Sequence, residues 1–459
     1  MTLTLPARSP AVGAVRQAVT LPQPGFTERG LVVLTTFIFM HQTPNVWFTT
    51  RADLLLNSSN PAAVLLQLGL AGIAFARIAG GIDRLIVMFK LEAALFMFAG
   101  TIFLSVFWSS NPQETIKQGV LFLAVTIFGA YLVLRFSLDQ IIRLLAVMFL
   151  ISAVLNIAFI VAFPQFAIDS IGAYTGVFPQ KNALGFISAL AIPNLLIAGW
   201  AYRSGRLIAV IGALMHLGLL IGSQSKTMLV AGVVPTFLIA VYHLFRSRKT
   251  LRGAVAVSIG GSAFFTAAFA TANVGLLAGW LDKDVSLTGR IPLWQSLWPV
   301  ALERVWLGYG YKAAFGGFFS PVHEIWIQNR WDPNHAHNAL LQIWLEIGLL
   351  GVVLFTVVYF RAVARAIKIV AIVPGSVGLW PIVFLTTTML VSITESGMSS
   401  NRLGWTMFVV AVLSVSLHLK HRDQLGLSND LRAATEANAA AKRGVRDDGF
   451  LPDDPVLFP

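Results

Sequence analysis

Cysteine is absent from all 459 residues, which excludes disulfides, thiolate metal sites and a cysteine nucleophile and leaves the redox compartment open. Charge is scarce: Asp, Glu, Lys and Arg make up 12% of the chain, about half the share found in soluble domains. No phosphate-binding P-loop and no Gly-rich dinucleotide fingerprint occurs, so neither ATP nor a nucleotide sugar is expected as a direct substrate. Residues 1 to 28 are polar and contain Pro, without the apolar core of a cleavable signal, so the first spanning segment is expected to stay in the protein. Neither a short internal repeat nor a second soluble domain is evident.

What the chain has instead is hydrophobic length. Apolar residues reach 56% and mean hydropathy is +0.74. Stretches near twenty residues recur, each able to cross a hydrocarbon core of about 30 Å as a helix. Barrel strands would be shorter and alternating. The expected fold is therefore all-α, a polytopic transmembrane bundle of about twelve spans. They are placed near 30–43, 60–79, 91–109, 117–135, 144–163, 184–200, 207–222, 227–245, 253–272, 338–360, 376–396 and 403–418. Lys90 and Glu92 interrupt the approach to the third, so 80–91 is expected to lie at the interface, and eleven spans remain an alternative.

The net charge of +12 suits anionic headgroups rather than nucleic acid, since no aromatic-plus-basic nucleic-acid module accompanies it. Every second loop is basic: Arg84; Arg135 and Arg143; Arg203 and Arg206; Arg246, Arg248, Lys249 and Arg252; Arg361, Arg365 and Lys368. By the positive-inside rule both termini face the cytoplasm. The expected organisation is a cytoplasmic tail over 1–29, a membrane bundle over 30–418 with a large outer loop at 273–337, and a solvated or disordered cytoplasmic tail over 419–459.

The outer loops carry the chemically loaded residues. Lys181 and Lys226 stand in short outer connections where the charge rule expects few cations; each is open to interfacial snorkelling or to an anion site. Arg290 follows Thr288-Gly289 and enters an amphipathic segment, which suits a phosphate at a helix N-terminus or a surface pair with Asp284. His335 and His337 flank Ala336, and no third His or carboxylate stands at a recognisable metal spacing, so an acid–base role for His337 is preferred to a metal site. The alternative is an interfacial His capping its helix. Asn338 starts the next helix and is suited to orient the ring. Glu395 is expected to pair with Arg402 or another cation, or to touch a sugar hydroxyl. Lys181, Lys226 and Arg290 together supply positive charge on one face, His337 a base, and the set fits a substrate bearing a pyrophosphate at the outer surface.

His337-Asn338, nine residues, then Gly348-Leu349-Leu350-Gly351 match the His-Asn-x9-Gly-x-x-Gly pattern of the O-antigen ligase and polysaccharide polymerase superfamily. GVFPQKNALG around Lys181, SQSKT around Lys226 and LTGRIPLW around Arg290 are similar to three further motifs of that superfamily. The resemblance covers nearly all spans and, through SQSKT, leans towards exopolysaccharide polymerases. It implies an inner-membrane glycosyltransferase with its active face in the periplasm and a donor glycan on undecaprenyl pyrophosphate. His337 would be the base for the acceptor hydroxyl, Arg290, Lys226 and Lys181 would bind pyrophosphate, and His335, Asn338, Glu395 and Arg402 would be candidate substrate contacts. No metal and no cofactor are expected, membrane lipids and the lipid-linked oligosaccharide are the expected partners, and chain-length regulators and export proteins are further candidates. A ligase moving finished polymer to a lipid A core or another acceptor, and a flippase or other transporter of the same pathway, are the alternatives. Lys226, where ligases often have Arg, keeps charge but lacks the bidentate fork.

Overall fold

The computed structural model describes residues 24–41, 61–79, 82–245, 290–315, 320–323, 325, 335–373, 375–396 and 402–420. The expected span at 253–272, residues 273–289 (with Asp284, Thr288 and Gly289), 316–319, 324 and 326–334 of the 273–337 loop, the basic run from Arg246 to Arg252, and the tails apart from 24–29 and 419–420 lie outside the described residues. The described chain is helical, with one isolated bridge, between Ile168 and Tyr174, in place of any strand.

The helices in order are α1 (Phe26–His41), α2 (Pro61–Ala79), α3 (Ile82–Leu91), α4 (Ala93–Leu104), α5 (Pro112–Arg135), α6 (Leu138–Ala162), α7 (Lys181–Ala201), α8 (Arg206–Gly222), α9 (Lys226–Phe245), α10 (Arg290–Glu303), α11 (Ala339–Ile372) and α12 (Trp380–Ser392), then α13 (Leu403–Lys420). Local chemistry sets their ends. Asn111 accepts from the Glu114 N–H with Pro112 opening α5, and Ser137 and Gln140 close a reciprocal capping box on α6.

Among the described residues, seven helices are long and apolar enough to cross a membrane, or eight if the bent pair Val64–Ile78 and Asp83–Leu91 forms one span. The described residues thus do not confirm the expected count of about twelve, of which the span at 253–272 lies outside them. Hydropathy merges what polar and irregular backbone divides. Glu92, fully buried with non-helical backbone, separates α3 from α4, and a 3-10 turn at Ser105–Trp108 then cuts α4 to 12 residues. At about 1.5 Å per residue, such a helix falls well short of the hydrocarbon thickness. α1 has 16 residues and α12 has 13.

The core is aromatic at its centre. Phe122 and Trp405 lie 4.6 Å apart between ring centroids, joined by Phe98 and Phe408, and the Trp405 indole N–H donates to Thr126 Oγ1 at 2.8 Å. A buried Trp thus satisfies its one donor without water. Leu207, Leu214 and Phe237 point outwards from α8 and α9, as a lipid-facing surface requires.

Chain alternation and cross-links sort the loops into two ends. Ser110 N–H donates to Tyr309 O, Tyr174 N–H donates to Gly222 O, and Ser225 Oγ bonds Asn182 Oδ1, so the starts of α5, α7, α9, α10 and α11 share one end. The opposite end holds Arg135 and Arg143, paired with Glu28 and Asp139, together with Arg203 and with Arg206, whose Nε donates to Gly199 O.

Candidate functional site

Glu395 is the junction of the site. Its Oε1 accepts from Arg290 Nη2 at 2.7 Å and from Asn182 Nδ2 at 2.8 Å, while Oε2 lies 3.3 Å from His337 Nδ1. Arg290, His337 and Glu395 side chains are only 15%, 17% and 12% exposed, so the charges interact with reduced screening. The sequence left Glu395 with Arg402 or another cation as partner; Arg290 takes that place.

Three helices begin at this end with a cation: Lys181 on α7, Lys226 on α9 and Arg290 on α10, and none has an acidic residue in its first turn. A cation at the positive end of a helix dipole is unfavourable, so three together leave a strong attraction for an anion. Asn182 and Ser225, bonded at 3.0 Å, hold the first two helix starts together. Gly185 permits this approach, since a Cβ there would stand 3.0 Å from Met228 Cβ and 3.1 Å from Ser223 Oγ. Lys181 is half-buried and Lys226 exposed.

His337 sits in a turn before α11. Asn338 caps α11 by accepting from the Leu341 N–H at 2.9 Å and donates to Ile393 O at 3.2 Å. Asn338 therefore fixes the backbone and the approach of the Glu395 segment, and the carboxylate beside the imidazole is that of Glu395. The His335 ring centroid is 3.9 Å from that of His337. Burial first, then His337, Lys312, Arg402 and Arg290, hold His335 well below its ordinary pKa of 6.5, because desolvation and nearby cations both disfavour an imidazolium. Arg402 thus contributes to the field on His335, and Lys312 joins a cationic group in which the sequence had not placed it.

One ligand atom from each of His335, His337 and Glu395 lies within 4.8 Å of the others. This trio could hold a metal; the third ligand, which no sequence spacing announced, comes from 58 residues beyond His337. A cation there would share Glu395 with the Arg290 guanidinium at 2.7 Å, an arrangement that opposes a second positive charge.

The Gly-x-x-Gly end of the motif has a structural reason. Gly348 adopts φ 71° and ψ −172°, which breaks the α11 hydrogen-bond ladder, and a side chain there would collide with the backbone of Trp306 and Leu307. The strap at 305–310 repairs the break. Tyr309 and Gly310 N–H donate to Leu345 and Glu346 O at 2.8 Å, and Leu349 N–H donates to Val305 O at 2.8 Å. Trp108 Nε1 bonds Leu307 O at 2.7 Å on the strap's other side. Because the strap continues from α10, the broken helix fixes the Arg290 helix against the His337 helix.

Asn182, Ser225 and Lys312 are site residues that the sequence does not single out. The first two lie inside the two motifs already noted; Lys312 had no local signal, standing in a Gly- and aromatic-rich stretch.

Residues 209–356, which include Lys226, Arg290, His337 and the Gly-x-x-Gly break, match the family Wzy_C, O-antigen ligase. The chain is also 28% identical over 303 residues, 62% of its own length and 68% of the relative's, to the exopolysaccharide production protein ExoQ of Rhizobium meliloti (strain 1021). The motifs, the helical membrane fold and these matches agree in making residues 209–356 similar to the O-antigen ligase family.

Proposed function

We propose that the protein is an inner-membrane polysaccharide polymerase that transfers a glycan from undecaprenyl pyrophosphate to a lipid-linked repeat unit on the periplasmic face. The observation that carries this is the meeting of three cation-led helix starts with a His–Glu pair. The similarity to an exopolysaccharide production protein favours the polymer-forming branch, and the basic loops of the opposite end support cytoplasmic termini.

A glycosyl pyrophosphate already has a good leaving group, so the protein needs mainly to position the acceptor, accept its proton and stabilise the departing charge. Glu395 beside Nδ1 favours the neutral tautomer with its proton there and its lone pair on Nε2. The acceptor hydroxyl gives its proton to Nε2 as its oxygen bonds the anomeric carbon, and the bond from that carbon to the pyrophosphate oxygen breaks. Glu395 stabilises the imidazolium that forms. Arg290 has five N–H donors and can hold Glu395 through Nη2 while offering others to phosphate; Lys226 and Lys181 add charge from the neighbouring helix starts. Attack opposite the leaving group inverts the anomeric centre, without a metal.

In a deletion strain complemented with His337→Ala or Arg290→Ala, with membrane protein levels matched, polymer is lost and lipid-linked single repeats accumulate. Normal polymer from His337→Ala would end the assignment of the base. The ligase alternative differs in acceptor: purified enzyme with lipid-linked repeats as sole substrate gives a ladder of lengths for a polymerase and none for a ligase.

A further inference from the structure

Two polar side chains on the first turns of α11, Gln342 and Glu346, are each 1% exposed, an expensive placement within a span unless they have a task. Gln342 Oε1 accepts from the Ala336 N–H at 2.7 Å, and Gln342 Nε2 donates to Glu346 Oε1 at 2.7 Å. Lys312 Nζ lies 3.5 Å from the same carboxylate oxygen. The other side of the Ala336 peptide is also held, because Ala336 O accepts from Trp294 Nε1 of α10 at 2.8 Å.

The residue so clamped precedes His337, whose φ of 49° lies in the left-handed region. A non-Gly residue there is strained and persists only where its surroundings over-determine it. An amide has a donating and an accepting end. Glu346 Oε1 takes the NH2 of Gln342, which leaves the amide oxygen turned towards the Ala336 N–H.

We propose that Glu346 and Gln342 form a relay of positioning residues that holds His337 in its working conformation, with Lys312 as the counter-ion of the relay. The proposal rests on His337 being the base, and the test separates the two.

The full-length protein in lipid nanodiscs is assayed for glycan transfer and for amide hydrogen exchange across 335–341. Gln342→Leu and Glu346→Leu lower kcat by up to about 100-fold, the order expected of a reacting group displaced by an ångström, with donor KM within about twofold, as the Arg290 and Lys226 contacts are untouched. The Ala336 amide exchanges faster in both. In the exchanged pair Gln342→Glu with Glu346→Gln, the carboxylate at 342 accepts from Ala336 and from the amide at 346, and kcat returns to within about threefold of wild type. Should a single variant fail to fold, the exchanged pair decides. An exchanged pair that reaches normal levels yet stays as slow as Gln342→Leu overturns the proposal, and so does unchanged Ala336 exchange in the single variants. Wild-type rate from His337→Ala would remove the base instead, leaving the exchange measurement to judge the relay.

Discussion

The two ends of the bundle both bury ion pairs, yet they are built differently. At the basic end, Glu28 binds Arg135 at 2.7 Å and accepts from the Tyr131 hydroxyl at 2.8 Å, with the ionic side chains 7% and 9% exposed. Arg143 pairs with Asp139 one turn earlier on the same helix. Arg365 and Ser416 both bond Glu92. Glu28 joins two helices and Glu92 three, Asp139 holds Arg143 on its own helix and Tyr202 at the end of α7, and none of these carboxylates meets an imidazole among the described residues. At the other end, Glu395 takes an arginine, an asparagine and a histidine from three distant segments, beside helix starts that carry cations without carboxylates. The first arrangement is a fastening; the second keeps positive charge and a titratable ring together, which a fastening does not need.

That difference can be broken by mutation. His337→Ala should have the largest effect, a fall in transfer rate of about 100-fold or more, the low end of what a positioned general base contributes, with no change in thermal stability of the detergent-solubilised protein. Glu28→Ala should do the reverse: loss of about 3 kcal/mol or more as a buried arginine loses its partner, read as a lowered unfolding temperature, with transfer per folded molecule unchanged. A variant of Glu28 that folds normally but transfers slowly would erase the distinction.

Glu395→Gln should follow, with a rate loss of roughly 10- to 100-fold, since the imidazolium loses its counter-charge while the contacts to Asn182 and Arg290 are retained in form. Addition of EDTA should leave the wild-type rate unchanged; a loss restored by a divalent cation would assign His335, His337 and Glu395 to a metal instead. The smallest effect is in pH. The folded state holds the His335 pKa below 6.5, so on acidification the unfolded chain takes up the proton first. The stability contributed is present above about pH 6.5 and declines as pH falls below it, and His335→Asn should flatten that decline in thermal unfolding curves.

Much of the site was legible in the chain because three motifs mark it: PQKN, SQSKT and HAHN each fall where a helix begins, and helix starts are local events set by capping and by the end of an apolar run. Lys181, Lys226 and Arg290 could be gathered on one face by loop parity alone. Span number was less legible. Lys90 and Glu92 marked one interruption in the sequence, but hydropathy over a window does not register that a 3-10 turn cuts the following run short, or that Gly348 breaks another while a strap keeps its ladder satisfied.

The sequence by itself determined that this is a helical membrane protein, which loops are basic, and which motifs carry the cations and the histidines, because composition, periodicity and local caps are written in neighbouring residues. Only the tertiary structure decided that Glu395, 213 positions from Asn182 and 105 from Arg290, is the carboxylate they share with His337. Nor does spacing reveal that the 305–310 strap enters the break in α11. A long-range ion pair or a backbone insertion depends on how packed helices place segments that have no local tie, and no run of adjacent side chains encodes that distance.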